Sequence, residues 1–169
     1  RRKQMVITIK PMETPEEIEG KSLVHWQTWR EAYDDLLPAE FQETMTLDRC
    51  RFFSQKYPGN TLIAMDGKKV VGFISYGNFR DETIQAGEII ALYVLKDYYG
   101  KGIAQKLMKE VLSTPDHFSE IYLWVLKENK RAIAFYQKMG FTFDGQEKIL
   151  ELGKPVKELR MMCSSNKSF

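Results

Sequence analysis

"ALYVLKDYYGKGIAQKLM", residues 91–108, decides how the whole chain is read. It opens as a short apolar run with β-strand character and breaks at Lys96-Asp97. Two glycines two residues apart, Gly100 and Gly102, then lead into an amphipathic, helix-favouring segment. Glycines between a strand and a helix leave successive N–H groups open at a helix start, where the helix dipole also favours negative charge. Such a junction binds phosphate oxygens. A side chain at either glycine would block the close approach of a diphosphate. Lys101 and Lys106 add positive charge nearby, and small Ala104 keeps the first helical turn accessible. A tight turn with good packing explains the same glycines without a ligand, and so short a motif does not decide between the two.

The surroundings place this junction in a sheet. "AGEIIALYVL" (86–95), "GKGIAQKLMKEVLS" (100–113) and "SEIYLWVL" (119–126) read as strand, helix, strand, which implies one parallel crossover. Ile103, Leu107, Met108 and Val111 fall on one face of the helix. Upstream, "NTLIAMD" and "KVVGFISYGN" meet at Asp66-Gly67, a strong hairpin signal. "MVITIKP" is a first strand stopped by Pro11. "TPEEIEGKSLVHWQTWREAYDDLL" is helical, capped by Thr14, with Gly20 as a point of weakness that can divide it. "AEFQETMTLDRCRFFSQKY" gives a second helical region. Downstream, "NKRAIAFYQKMG" is a helix closed by Gly140, and "FTFDGQEKILELGKPVKELRMM" forms two strands around a longer connection. The order β, α, α, β, β, β, α, β, α, β, β predicts a mixed α/β sheet with helices on both faces.

Composition sets limits. The 169 residues favour one domain, expected over residues 1–163, with 164–169 as a flexible tail. A net charge of +2 makes no case for nucleic acid, which would call for a basic stripe. No apolar run approaches the ~18 residues of a membrane helix, and the amino end has no signal-peptide core. The chain opens on Arg1, so a few residues are expected to precede it. Cys50 and Cys163 have no metal-ligand or redox spacing, so no metal is expected and a reducing cytoplasm is the default. His25 and His117 have no partner pattern and read as structural or surface groups.

Three nucleotide readings compete for the glycine turn. A Walker loop, G-x-x-x-x-G-K-[ST], is absent. A Rossmann fingerprint needs a third Gly or Ala where Gln105 stands. Glu128 can imitate its ribose-binding acid, but too little chain follows for further βαβ units. The third reading is coenzyme A. "IIALYVLKDYYGKGIAQKLMKEVL" followed by "NKRAIAFYQKMGF" resembles the two central motifs of the GNAT superfamily of N-acetyltransferases. The signature R/Q-x-x-G-x-G/A is met by Gly102-x-Ala104, with Tyr99 departing at its first place. The pattern N-x-x-A-x-x-F-Y-x-x-x-G-F runs from Asn129 to Phe141 and is far more specific.

The resemblance implies acetyl transfer from acetyl-CoA to a primary amine of a small molecule or peptide, by direct attack. It implies about seven strands, mostly antiparallel, splayed between the fourth and fifth. It also implies a diphosphate cradle at Gly100, Lys101, Gly102, Ile103, Ala104 and Gln105. A backbone N–H at Leu92 would hold the thioester oxygen, and Tyr93 and Val94 would continue pairing with the pantetheine arm. Asn129 would bind the coenzyme, cap a helix, or do both. Tyr136 matches the family's general acid, although an aromatic core residue would look alike. Glu88, the lone acid of its strand, matches a base used in the histone-acetylating branch, or is a surface acid. Strict alternation would put Glu88, Ile90, Leu92 and Val94 on one face.

Trp26, Trp29 and Tyr33 share a helical face, which reads as core or as an acceptor wall with Glu31, Asp34 and Asp35 drawing a cationic amine. Trp29 and Tyr33 are the acceptor candidates. Homodimers are common in the family, and "KPVKELRMMC" is a segment that can pair between copies. The main rival is a noncatalytic coenzyme A-binding sensor, followed by a dinucleotide-binding module.

Overall fold

A computed structural model describes residues 5–56, 59–80, 83, 85–113 and 118–164. The strands are β1 (Ile7–Pro11), β2 (Thr61–Asp66), β3 (Lys69–Asn78), β4 (Gly87–Val94), β5 (Glu120–Leu126), β6 (Thr142–Glu151) and β7 (Pro155–Ser164). They form one sheet in the order β1-β2-β3-β4-β5-β7-β6. Every neighbouring pair is antiparallel except β4 and β5, which run parallel. The helices are α1 (Pro15–Tyr33), α2 (Ala39–Gln42), α3 (Leu47–Lys56), α4 (Ile103–Ser113) and α5 (Lys130–Lys138). The mixed seven-stranded α/β sheet expected from the element order is the one observed.

α1 begins with a capping box: Thr14 Oγ1 accepts from Glu17 N at 3.1 Å, and Glu17 Oε1 accepts from Thr14 N at 2.9 Å. Lys10 of β1 also donates to Glu17, and these bonds hold its carboxyl down at about 2. A folded value below the unfolded 4.5 adds stability that is fully present above pH 4.5 and is lost as pH falls through about 2. Glu17→Gln is therefore expected to lower the melting temperature at pH 7, with the gap to the parent closing on acidification below pH 4.5. Melting curves across that range check it.

Gly20 does not divide α1, which is continuous. Its role is proximity: an added Cβ would lie 2.6 Å from Val70 Cγ2, so the glycine lets the helix seat closely on β3. The next residue, Lys21, stands over the Phe73 ring at 4.7 Å, and one turn further His25 meets Phe73 edge-on and stacks on Tyr93. Residues alternate along a strand, so Ile74 points to the opposite face, where α4 buries Ile103, Leu107, Met108, Val111 and Leu112.

Pro11 ends β1, as expected, at a position that an edge strand permits. Two local expectations are corrected. The connection between β6 and β7 is a short turn of residues 152–154, made possible by Gly153 at φ +78°. Finally, β7 is paired with β6 from Pro155 and also with β5 from Glu158, so from Glu158 onward the segment "KPVKELRMMC" has no free edge for a second copy; β6 is the edge strand. Ser164, expected in the tail, closes β7, and the rest of that tail lies outside the described residues, as does His117.

Candidate active site

The site forms where the sheet comes apart. β4 and β5 pair only at Gly87↔Ile121 and Glu88↔Tyr122, then diverge. The rest of β4 keeps its hydrogen bonds to β3 on one side and leaves its other edge facing a cavity of about 870 Å³. Alternation tells which amides face that gap. Leu95 N donates to Val71 O of β3 at 2.9 Å, so the N–H groups of Val94 and Leu92 point away from β3, toward the opening.

A bulge then reverses the expected faces. Ser75 pairs with Ala91 and Tyr76 with Ile89, leaving Ile90 as the extra residue. Glu88 therefore shares a face with Tyr93, not with Leu92 and Val94 as strict alternation predicts. It does not line the cavity. Its carboxylate is 2% exposed and held by Arg80, with Nη2–Oε2 at 2.6 Å and Nε–Oε1 at 3.1 Å; Arg80 N adds a bond of 3.3 Å to Oε1.

Gly100 and Gly102 both sit at φ +77°, in the left-handed region that only glycine enters freely. A Cβ on either would meet no protein atom within 4 Å, so the space beside the turn is open. Lys106 N donates to Gly102 O, which leaves the amides of Ile103, Ala104 and Gln105 without partners inside α4. All three of these residues and both glycines line the cavity, whereas Lys101 is exposed and does not. This cradle fits a diphosphate: bare amides, positive dipole and room for close approach. At Tyr99, the departure from the expected signature, the Arg131 guanidinium stacks over the ring at 3.8 Å. A cation from α5 thus stands beside the loop, on a residue that sequence reading passed over although it lies in "NKRA".

Asn129 caps α5, its Oδ1 accepting from Ala132 N at 3.2 Å, and also borders the cavity. Tyr136, seven residues on, reaches the cavity between Phe135 and Phe141, whose rings it meets edge-on. Burial raises its phenol above the ordinary value, as does the nearby Tyr33. Tyr33 and Tyr93 bring their hydroxyls to 3.3 Å of each other, and burial raises both. Trp29 does not line the cavity; it backs Tyr33 edge-on at 4.7 Å, with a buried Nε1 that has no partner among the described residues. His25, read as structural, is kept neutral by burial and by Lys21, its value falling to about 4. Among the described residues no group of three His, Cys, Asp or Glu side chains gathers as metal ligands.

A sheet that parts beside an open glycine turn at a helix start is the build of an acyltransferase that uses a nucleotide thioester. Comparison with known proteins gives the particular family. The chain belongs to the GNAT acetyltransferase family, whose model matches residues 26–141. An uncharacterized N-acetyltransferase of Mycobacterium tuberculosis, Rv2669, is 30% identical over 113 residues, 66% of this chain and 65% of that protein. The match thus spans just under two thirds of that relative's length. Peptidyl-lysine N-acetyltransferase YjaB of Escherichia coli is 28% identical over 145 residues, 85% of this chain and 89% of its own. In fold, the PaiA N-acetyltransferase of Thermoplasma acidophilum, solved with coenzyme A, superposes with a TM-score of 0.74 at 20% identity, covering 95% of this chain and 99% of that one.

Proposed function

We propose that the protein transfers an acetyl group from acetyl-CoA to a primary amine of a small molecule or peptide, by direct attack. The observation that carries this reading is the gap between β4 and β5, which joins open amides at Ile103–Gln105 to the Tyr136 phenol in one cavity. The cradle from Gly100 to Gln105 would hold the diphosphate. Arg131 would replace the charge missing at Tyr99, and Asn129 would bind the arm of the coenzyme. Bound there, acetyl-CoA supplies an activated acyl group. Leu92 N–H is free to donate to the thioester oxygen, where negative charge develops. Tyr93, expected to pair with the arm, offers it no backbone bond: its N–H faces β3 like that of Leu95, and its side chain belongs to the α1 face, so the arm would pair with Leu92 and Val94. Tyr136 holds the proton for the departing sulfur: burial raises the phenol, but the same burial raises a thiolate's affinity for protons, so the two stay matched.

Tyr33, with Trp29 behind it, forms the acceptor wall. The name of the YjaB relative supports lysine side chains as one acceptor class, and small amines have the same reacting group. Cys50 and Cys163, both buried and neither in a disulfide, suit a reducing cytoplasm. Thiol release from acetyl-CoA with a panel of alkylamines and lysine peptides tests the function. Turnover with at least one amine is expected. Binding of coenzyme A without turnover on any amine would leave only a sensor.

A further inference from the structure

The cavity holds a carboxylate that no motif announced. Glu158 on β7 lines it, with a side chain 17% exposed. In the β5–β7 register it stands opposite Leu126 and shares that face with Trp124, two cavity residues. Its nearest cation is Lys148 of β6, whose Nζ lies 3.8 Å away and 4.2 Å above the Trp124 ring. That is the long limit of an ion pair, so Lys148 holds the carboxylate only loosely. Glu88 is the contrast: both its oxygens are held by Arg80.

The groups facing Glu158 come from several elements. Lys148 on β6 and Arg80 after β3 favour its charged form, whereas Glu88 on β4 opposes it. Burial is the largest influence and raises its carboxyl above the ordinary value. Glu158 is also within electrostatic reach of the Tyr33 and Tyr93 phenols, at the wall assigned to the acceptor. The cavity's other acid, Glu31, accepts from Lys96 N at 3.1 Å, so aromatic faces around the loosely held Glu158 carboxylate make a site for an organic cation.

We propose that Glu158 receives the ammonium group of the acceptor and takes its proton, so that the acceptor is an alkylammonium: an aliphatic polyamine or a lysine side chain. The proposal rests on the acetyl-transfer reading for its chemistry, but not for its binding. The ammonium loses one proton to Glu158, which passes it to water. The nitrogen lone pair then forms the N–C bond as the C–S bond breaks with its electrons to sulfur. Tyr136 gives sulfur a proton, and the second nitrogen proton restores the phenol.

The test combines a titration with kinetics. In glutamate-labelled protein, the 13C side-chain resonance missing from Glu158→Gln identifies Glu158. Its midpoint is expected above the ordinary value of about 4.3. Adding n-butylamine should move it down, because a nearby cation favours the carboxylate. In the pH profile of kcat/KM, Glu158→Gln should lose the acidic limb together with about a hundredfold in rate. Glu88→Gln should keep that limb, moved toward lower pH because one negative charge near Glu158 is gone. A Glu158 midpoint indifferent to amine, or a Glu158→Gln enzyme with the parent's rate and limb, overturns the proposal. No turnover with any amine, beside a midpoint that does respond, would overturn acetyl transfer and uphold the ammonium site.

Discussion

Tyr136→Phe is expected to lower kcat about a hundredfold or more while coenzyme A binds as before. The substitution removes one oxygen and keeps the ring that meets Phe135 and Phe141. The phenol is raised by burial and by Tyr33, with no hydrogen bond contributing, so removing it leaves no partner unsatisfied. Fold stability should therefore hold, and the loss should fall on proton delivery to sulfur. General acid catalysis contributes about 10²–10⁴ in rate. The lower end of that range corresponds to about 2.7 kcal/mol of transition-state stabilisation. Steady-state thiol release gives kcat, and calorimetry with coenzyme A gives affinity. An unchanged kcat would mean that Tyr136 is only an aromatic packing residue.

The parts of this site that sequence reveals are those fixed by local backbone geometry. Gly100 and Gly102 announce positive φ and open amides because no other residue does that job cheaply. Asn129 to Phe141 announces a capped helix carrying Tyr136, since cap and stripe are local patterns. The parts that stay hidden depend on register between distant strands. A single extra residue at Ile90 turns Glu88 away from the face that alternation assigns to it. Glu158 comes to the cavity only because β7 pairs with β5 at Leu126, some thirty residues away. Arg131 meets Tyr99 across a gap between two helix starts, a contact that spacing along the chain cannot express. The same limit explains Trp29. Helical periodicity places it beside Tyr33, but only packing decides that Tyr33 faces the cavity and Trp29 stands behind.

Gly102→Ala is expected to weaken coenzyme A binding at least about tenfold, which is about 1.4 kcal/mol. Two effects would act together, and a second glycine separates them. Alanine at φ +77° carries a backbone cost of about 1–2 kcal/mol for the left-handed conformation. Gly67, in the β2–β3 turn, has φ +61° and, like Gly102, open space where a Cβ would stand. Gly67→Ala should thus lower the melting temperature by a similar amount without touching the cavity. If strain alone mattered, both variants would melt early and both would bind normally. If the cradle reading is right, the new methyl group at residue 102 projects into the place reserved for phosphate oxygens. Affinity is then lost in that variant alone. The open space around Gly102 is what makes the comparison decisive: no neighbouring atom crowds a Cβ there, and the cost of positive φ is shared with Gly67, so a loss of affinity confined to Gly102→Ala points to a ligand.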